Sequence, residues 1–263
     1  MSGLPHLVGM IHLLPLPGSP RFQGSIDQVL DTAGSDAIAL QSAGFPALLV
    51  ENFGDAPFHR DRVPAETVAA MTRAVEVVSE ASGLPVGVNV LRNDAMSALG
   101  IAAATGARFI RVNVLTGVMY TDQGPITGRA ADLLRRRGFL APEVEIWADV
   151  MVKHATPPPG LDPRQAALDT VERGLADAVI VSGSGTGESP EIDVVRAVRS
   201  AVPTGTRVVI GSGASVDNLS RLIEHADSVI VGSGVKVDNV ARNRVDQLKA
   251  AAFAEAAADH GLL

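Results

Sequence analysis

Cysteine is absent from the 263 residues, which excludes disulfides, thiolate metal ligands and thiol nucleophiles, so any metal would have to be held by His, Asp or Glu. Aromatic residues are also scarce, at 3% of the chain with one Trp and one Tyr, and 22 Lys and Arg stand against 29 Asp and Glu for a net charge of -7. Broad nucleic-acid binding needs basic surface and usually rings for stacking, so no nucleic-acid partner is expected. Long apolar runs are missing: nowhere do 18 apolar residues follow one another, and no basic segment leads into an apolar one at the start. That pattern reads as a cytoplasmic protein without stable membrane insertion. What is present is a 46% hydrophobic content, enough at this length for a full-sized core.

Short runs rich in Val, Ile and Leu recur, each closing on polar or glycine residues, as strands buried on both faces of a parallel sheet do. Eight such runs fall at residues 7–11, 47–50, 85–90, 109–114, 144–150, 178–181, 207–210 and 228–231. Helical spacing fills the intervals at 25–43, 65–81, 95–105, 128–137, 163–174, 191–201 and 216–225, and a last helix follows at 242–258. Eight alternations predict one α/β domain over residues 1–263, a (β/α)8 barrel. An open doubly wound sheet would place a glycine fingerprint after its first strand, where this chain has His12-Leu13-Leu14-Pro15-Leu16-Pro17-Gly18. Asp94 suits the start of the third helix and Pro163 the first turn of the fifth, and Pro157-Pro158-Pro159-Gly160 reads as a stiff loop.

Barrels of this kind carry their sites at the C-terminal ends of the strands, so the polar residues closing each run are the candidates. Glu51 and Asp149 are placed to serve as general base, hydroxyl anchor or Mg2+ ligand, or else to pair with Arg92 or Arg111 and brace the mouth. No His-Glu-x-x-His spacing defines a metal site, so Mg2+ is a candidate cofactor only through these carboxylates. Lys153 is a candidate base, Schiff-base former or phosphate partner, against the plainer reading of a solvated loop lysine. His12 and His154 complete the catalytic candidates, each with a backbone-bonded structural role as the alternative. Asn52, Asn89, Arg92, Arg111, Asn113 and Ser182 are the expected substrate contacts. The run Arg135-Arg136-Arg137 closes a predicted helix, where cations suit the dipole.

Three glycine-rich turns close the last three strands: Ser182-Gly183-Ser184-Gly185-Thr186-Gly187, Gly211-Ser212-Gly213 and Gly232-Ser233-Gly234. Glycine lets the backbone approach a ligand closely, and amides there can face an anion, so these turns predict a phosphate site, with ordinary tight turns as the alternative.

Several blocks of the chain stand out together. They are Met10-Ile11-His12-Leu13-Leu14-Pro15-Leu16-Pro17-Gly18-Ser19-Pro20, Val50-Glu51-Asn52-Phe53-Gly54-Asp55-Ala56-Pro57-Phe58 and Val86-Gly87-Val88-Asn89-Val90-Leu91-Arg92-Asn93-Asp94. Phe109-Ile110-Arg111-Val112-Asn113-Val114, Thr121-Asp122-Gln123-Gly124, Ala148-Asp149-Val150-Met151-Val152-Lys153-His154-Ala155 and Asp169-Thr170-Val171 continue the series. Together these blocks resemble the BtpA/SgcQ family, from about residue 6 to 250, and the resemblance implies a barrel like those of the ribulose-phosphate-binding group and a family named for photosystem I biogenesis. It also implies a lysine after the last glycine turn, which Lys236 supplies, although the family's Gly-Thr-Ser-x-Lys pattern is here Gly232-Ser233-Gly234-Val235-Lys236, with one hydroxyl fewer. A nucleoside-triphosphatase reading is unsupported, because no Gly-x-x-x-x-Gly-Lys-Ser/Thr loop is present.

Two functions follow as expectations. One is an enzyme, an isomerase, lyase or hydrolase, acting on a small phosphorylated metabolite such as a sugar phosphate or nucleotide-like compound. The other is a non-catalytic assembly factor for a membrane complex, as the family name implies. A homo-oligomer is compatible with the apolar balance, and no segment marks an interface.

Overall fold

The fold was read from a computed structural model, which describes residues 5–183 and 185–263; Ser184 of the first glycine-rich turn lies outside them. In chain order the elements are β1 (Leu7–His12), α1 (Ile26–Ser42), β2 (Leu48–Glu51), α2 (Ala65–Ser82), β3 (Val86–Asn89), α3 (Ala95–Thr105) and β4 (Phe109–Val112). A hairpin, β5 (Val118–Thr121) and β6 (Gly124–Thr127), precedes α4 (Ala130–Leu140) and β7 (Glu145–Met151). Then come α5 (Pro163–Leu168), β8 (Ala178–Val181), α6 (Ile192–Ala201), β9 (Arg207–Ile210), α7 (Leu219–Ile223), β10 (Ser228–Val231) and α8 (Gln247–Asp259). Leaving out the hairpin, eight parallel strands close into a barrel in the order β1-β10-β9-β8-β7-β4-β3-β2. The expected (β/α)8 barrel is the fold.

The two-residue period of a strand explains both the core and the site. Ile11, Val50, Val88, Ile110, Val179 and Val229 belong to the large cluster packed between strands and helices. Their alternates, among them Val8, Met10, Leu49, Phe109, Trp147, Ile180, Val209 and Ile230, form a second cluster that fills the barrel. Two residues further along each strand the inward row turns polar or small: Met10 leads to His12, Leu49 to Glu51, Gly87 to Asn89, Phe109 to Arg111, Trp147 to Asp149, Ile180 to Ser182, Val209 to Gly211 and Ile230 to Gly232. An apolar plug therefore floors a polar mouth.

Local chemistry sets the helix ends. Asp94 accepts from the Ser97 amide at 2.9 Å, Asp162 caps α5 with Pro163 in its first turn, and Gly83 and Gly106 close α2 and α3 in the left-handed region. Two helices are shorter than their apolar spacing predicts. α7 starts only at Leu219, because the Asn218 side chain accepts from the Ser215 amide (2.8 Å) and donates to the Gly213 carbonyl (2.9 Å), holding that segment in a turn. α8 starts at Gln247, capped by Asp246, because the preceding residues form a bridge between Lys236 and Val245. The fifth helix changes character after Leu168, continuing as a π-helical turn over Asp169–Arg173. The hairpin was not anticipated; it bridges to Thr156 after β7 over a small core of Val114, Met119, Ile126 and Val152.

Gly87 makes room for the plug: a Cβ there would lie 2.3 Å from Phe109, whose ring stacks on Trp147 with centroids 4.3 Å apart. Gly87→Ala is expected to destabilise the fold by about 1–3 kcal/mol, the usual cost of overpacking, measured as a lower urea midpoint with an unchanged slope.

Candidate active site at the mouth of the barrel

The innermost feature is an ion pair between adjacent strands. Arg111 donates from Nε and Nη2 to the two oxygens of Asp149, at 3.0 and 2.8 Å, with both side chains at most 1% exposed. Asn113 Nδ2 donates to Asp149 Oδ2 (3.0 Å) and Ser182 Oγ to Oδ1 (3.2 Å), while Arg111 also reaches the Gly211 carbonyl at 3.5 Å. Four donors thus surround the Asp149 carboxylate. Of the two sequence readings for Asp149, the geometry favours the brace over the general base, because its lone pairs are committed.

Glu51 is differently placed. Its Oε2 accepts from Asn89 Nδ2 at 2.7 Å, and its buried Oε1 has no hydrogen-bond partner among the described residues. His12 Nε2 stands 3.8 Å from that free oxygen. The other imidazole nitrogen, Nδ1, lies 2.9 Å from the Ala241 carbonyl, which only a protonated Nδ1 can use, so the neutral ring carries its lone pair on Nε2. The ring packs on Phe53 with centroids 4.6 Å apart. Burial pushes the His12 pKa well below the ordinary imidazole value, and the nearby ammonium groups of Lys236 and Lys153 add to the effect.

Lys153 is buried at the mouth, and burial lowers its pKa while the Glu51 carboxylate opposes the shift. Among the described residues no hydrogen bond or close ion pair holds its ammonium, and the Glu51 and Asp149 carboxylates act on it at longer range. Lys153, His12 and the turns Gly211 to Gly213 and Gly232 to Gly234 line one cavity, together with Thr186 and Gly187 of the turn after β8. The expected cradle and two expected ionisable groups therefore meet. Among the described residues, the amides of Gly213, Ser233 and Gly234 donate to no protein acceptor. Gly183 donates to Ser212 Oγ at 3.3 Å, which ties the first turn to the second, and Gly185 packs against the Glu188 side chain.

Other candidates serve as supports. Asn52 bonds Asp55 (3.0 Å) and both accepts from and donates to the Leu91 peptide, and Arg92 donates to the Lys153 carbonyl. His154 lies exposed on the rim, held by Thr186 at 2.8 Å, with its pKa lowered by its partial burial and by Lys153. Lys236 is corrected: rather than joining the cradle, its fully buried ammonium donates to Asp36 of α1 at 2.9 Å, and Arg244 takes the other Asp36 oxygen. A residue forced to neutralise a buried carboxylate is not free for a ligand. Of the two Mg2+ candidates, Asp149 has both oxygens committed, which leaves Glu51 with one open oxygen, and no group of three or more His, Asp or Glu side chains gathers among the described residues.

Sequence reading missed three contributors: the Ala241 carbonyl that sets the His12 tautomer, Thr186, and Asp122 at the hairpin tip, whose charge acts on Arg92 and His154. Thr186 and the hairpin each had a signal, Thr186 within the glycine-rich turn that begins at Ser182 and the hairpin in the Asp122-Gln123-Gly124 turn with Gly124 at φ +91. A more open groove between α2 and α3, lined by Arg62, Val68, Met96 and Arg129, holds no comparable free acceptor, since both Asp94 oxygens are bonded.

The closed barrel and its polar mouth define a (β/α)8 protein with a small polar-lined cavity of about 20 Å³ at the strand ends. A solved barrel, phosphoribosyl anthranilate isomerase from Thermus thermophilus, shares this fold at a TM-score of 0.59 and 15% identity, covering 97% of this chain and 99% of that one. The chain belongs to the BtpA family, which it matches over residues 5–259. It is 48% identical over 253 residues to the photosystem I biogenesis protein BtpA of Synechocystis, covering 96% of this chain and 88% of that protein. It is 31% identical over 252 residues to the sgc region protein SgcQ of Escherichia coli, covering 95% and 92%. Among the described residues, no helix is long and apolar enough to cross a membrane.

Two outcomes separate brace from working groups. Asp149→Asn leaves the Arg111 charge buried without its counter-ion and is expected to cost about 3–5 kcal/mol in chemical unfolding, whereas Glu51→Gln keeps the Asn89 bond and should cost less than about 1 kcal/mol. His12 gives a pH signature. In the unfolded chain it takes up a proton near pH ~6.5, while in the fold it stays neutral to well below that, so the unfolded state binds more protons in this window. Stability should fall as pH drops from 7 to 5, and His12→Asn should lose less over that interval in paired urea titrations.

Proposed function

We propose that this protein is an enzyme acting on a small phosphorylated metabolite at the mouth of the barrel. The observation that carries the reading is one cavity bordered by the glycine turns after β9 and β10, by His12 and by an unpaired, buried Lys153. The amides of Gly213, Ser233 and Gly234 would hold the phosphate, and Lys153 would neutralise charge developing on the reacting part of the substrate. His12, with its lone pair on Nε2, and Glu51, with one free oxygen, are the groups placed to accept a proton. Asn89 positions Glu51, and the Arg111–Asp149 pair keeps the strand ends in register. The solved barrel of the same fold acts on a phosphoribosyl compound by its name, in line with this reading. Proton transfer beside a phosphate serves isomerases, lyases and hydrolases alike.

The second reading, an assembly factor for a membrane complex in the cytoplasm, is favoured by the name of the Synechocystis relative. A mouth holding a buried free carboxylate oxygen is costly for a scaffold to keep and useful to an enzyme.

Thermal-shift screening against phosphorylated metabolites tests the proposal: a ligand at 100 times its Kd adds about 2.7 kcal/mol of apparent stability. Lys153→Met keeps the apolar stem and should leave the protein as stable or more so, while lowering affinity for the hit at least about tenfold. Absence of any shift across sugar phosphates and nucleotides, with a membrane-protein fraction retained on the immobilised protein, would transfer support to the assembly reading.

A further inference from the structure

Apart from Lys153 and the amides of the glycine turns, the free groups of the mouth accept hydrogen bonds. Glu51 Oε1 and Asn113 Oδ1 are buried without a donor among the described residues, on side chains belonging to residues 1% and 3% exposed. His12 Nε2 adds a third acceptor 3.8 Å from Glu51 Oε1. Buried acceptors are ordinarily satisfied, so the two left open, together with the His12 lone pair, point to donors brought by a ligand. Amines are poor candidates, because Lys153 already places positive charge there. Hydroxyl groups are neutral, small and able to donate.

The same mouth offers little to a planar base. Phe109 and Trp147 stack on each other in the apolar plug below, Phe53 lies against His12, and Tyr120 is on the hairpin, half exposed. Among the described residues no ring face is left open at the cavity for stacking. The cradle and His12 line one cavity, Glu51 Oε1 stands 3.8 Å from His12, and Asn113 is tied to the cavity wall through Asp149 and Arg111.

Resting on the reading of the glycine turns as a phosphate cradle, we infer that the ligand is a polyhydroxylated phosphomonoester without a nucleobase, a sugar or polyol phosphate whose hydroxyls donate to Glu51 Oε1, Asn113 Oδ1 and His12 Nε2. Glu51 and Asn113 are thereby specificity-determining residues, selecting for hydroxyl donors.

The full-length protein is titrated calorimetrically with inorganic phosphate, AMP, a set of pentose and hexose phosphates, and the free sugars. The sugar phosphate that binds tightest is then compared with its deoxy and deoxyfluoro analogues, since fluorine keeps the size of a hydroxyl but cannot donate. Sugar phosphates should bind at least about tenfold tighter than AMP or phosphate, and loss of one contacted hydroxyl should weaken binding about tenfold or more whether hydrogen or fluorine replaces it. Glu51→Gln, which aims an amide donor where the free oxygen stood, should narrow the preference for hydroxyl over fluorine without changing the affinity for inorganic phosphate. AMP binding as tightly as the sugar phosphates, or a full set of deoxyfluoro analogues binding undiminished, overturns the inference. Phosphate that binds while no sugar phosphate does better overturns the hydroxyl assignment and leaves the cradle intact. Free sugars that match their phosphates, with phosphate itself unbound, overturn the cradle and leave the hydroxyl assignment standing.

Discussion

The Arg111–Asp149 pair is the constraint on which the mouth of this barrel depends. Taking both charges out of water is expensive, and only a two-point contact with further donors on the carboxylate makes it tolerable. The pair binds β4 to β7, and through Ser182 and the Gly211 carbonyl it also ties in the ends of β8 and β9. Four strand tips are thus held by one electrostatic contact just above the apolar plug, which supplies the floor.

Because that brace consumes Arg111 and Asp149, the ionisable groups left for chemistry are few. Glu51 is anchored by a single bond from Asn89, Lys153 is unpaired, and His12 is locked as one tautomer by a carbonyl remote in sequence. Burial depresses the affinity of both His12 and Lys153 for protons, which favours a base and a group of adjustable charge side by side. A separate cluster, in which buried Lys236 and exposed Arg244 share the Asp36 carboxylate, ties the segment after β10 to α1 and so steadies the last glycine turn.

Much of this was legible in the chain. The barrel strands announce themselves because burial on both faces demands unbroken Val and Ile runs, and three of them, Ala178–Val181, Arg207–Ile210 and Ser228–Val231, keep the bounds their apolar residues suggest. The residues at the mouth were readable for a related reason: the inward row must change from apolar to polar where the plug stops. Less visible was the hairpin, whose four-residue strands are too short for a periodic signal, and the late start of α7, decided by one Asn side chain competing for backbone groups.

Local sequence by itself settled where strands and helices alternate, which strand ends carry polar groups and where the backbone is free of side chains, since periodicity and glycine act within a few residues. Only the closed barrel decided which charges cancel. Asp149 and Glu51 look alike in the chain, yet one meets Arg111 across a strand pair and the other does not, and Lys236 is taken by Asp36 from 200 residues away. Pairing depends on register and distance in three dimensions, and in a site shielded from water that pairing separates a structural charge from one free to act.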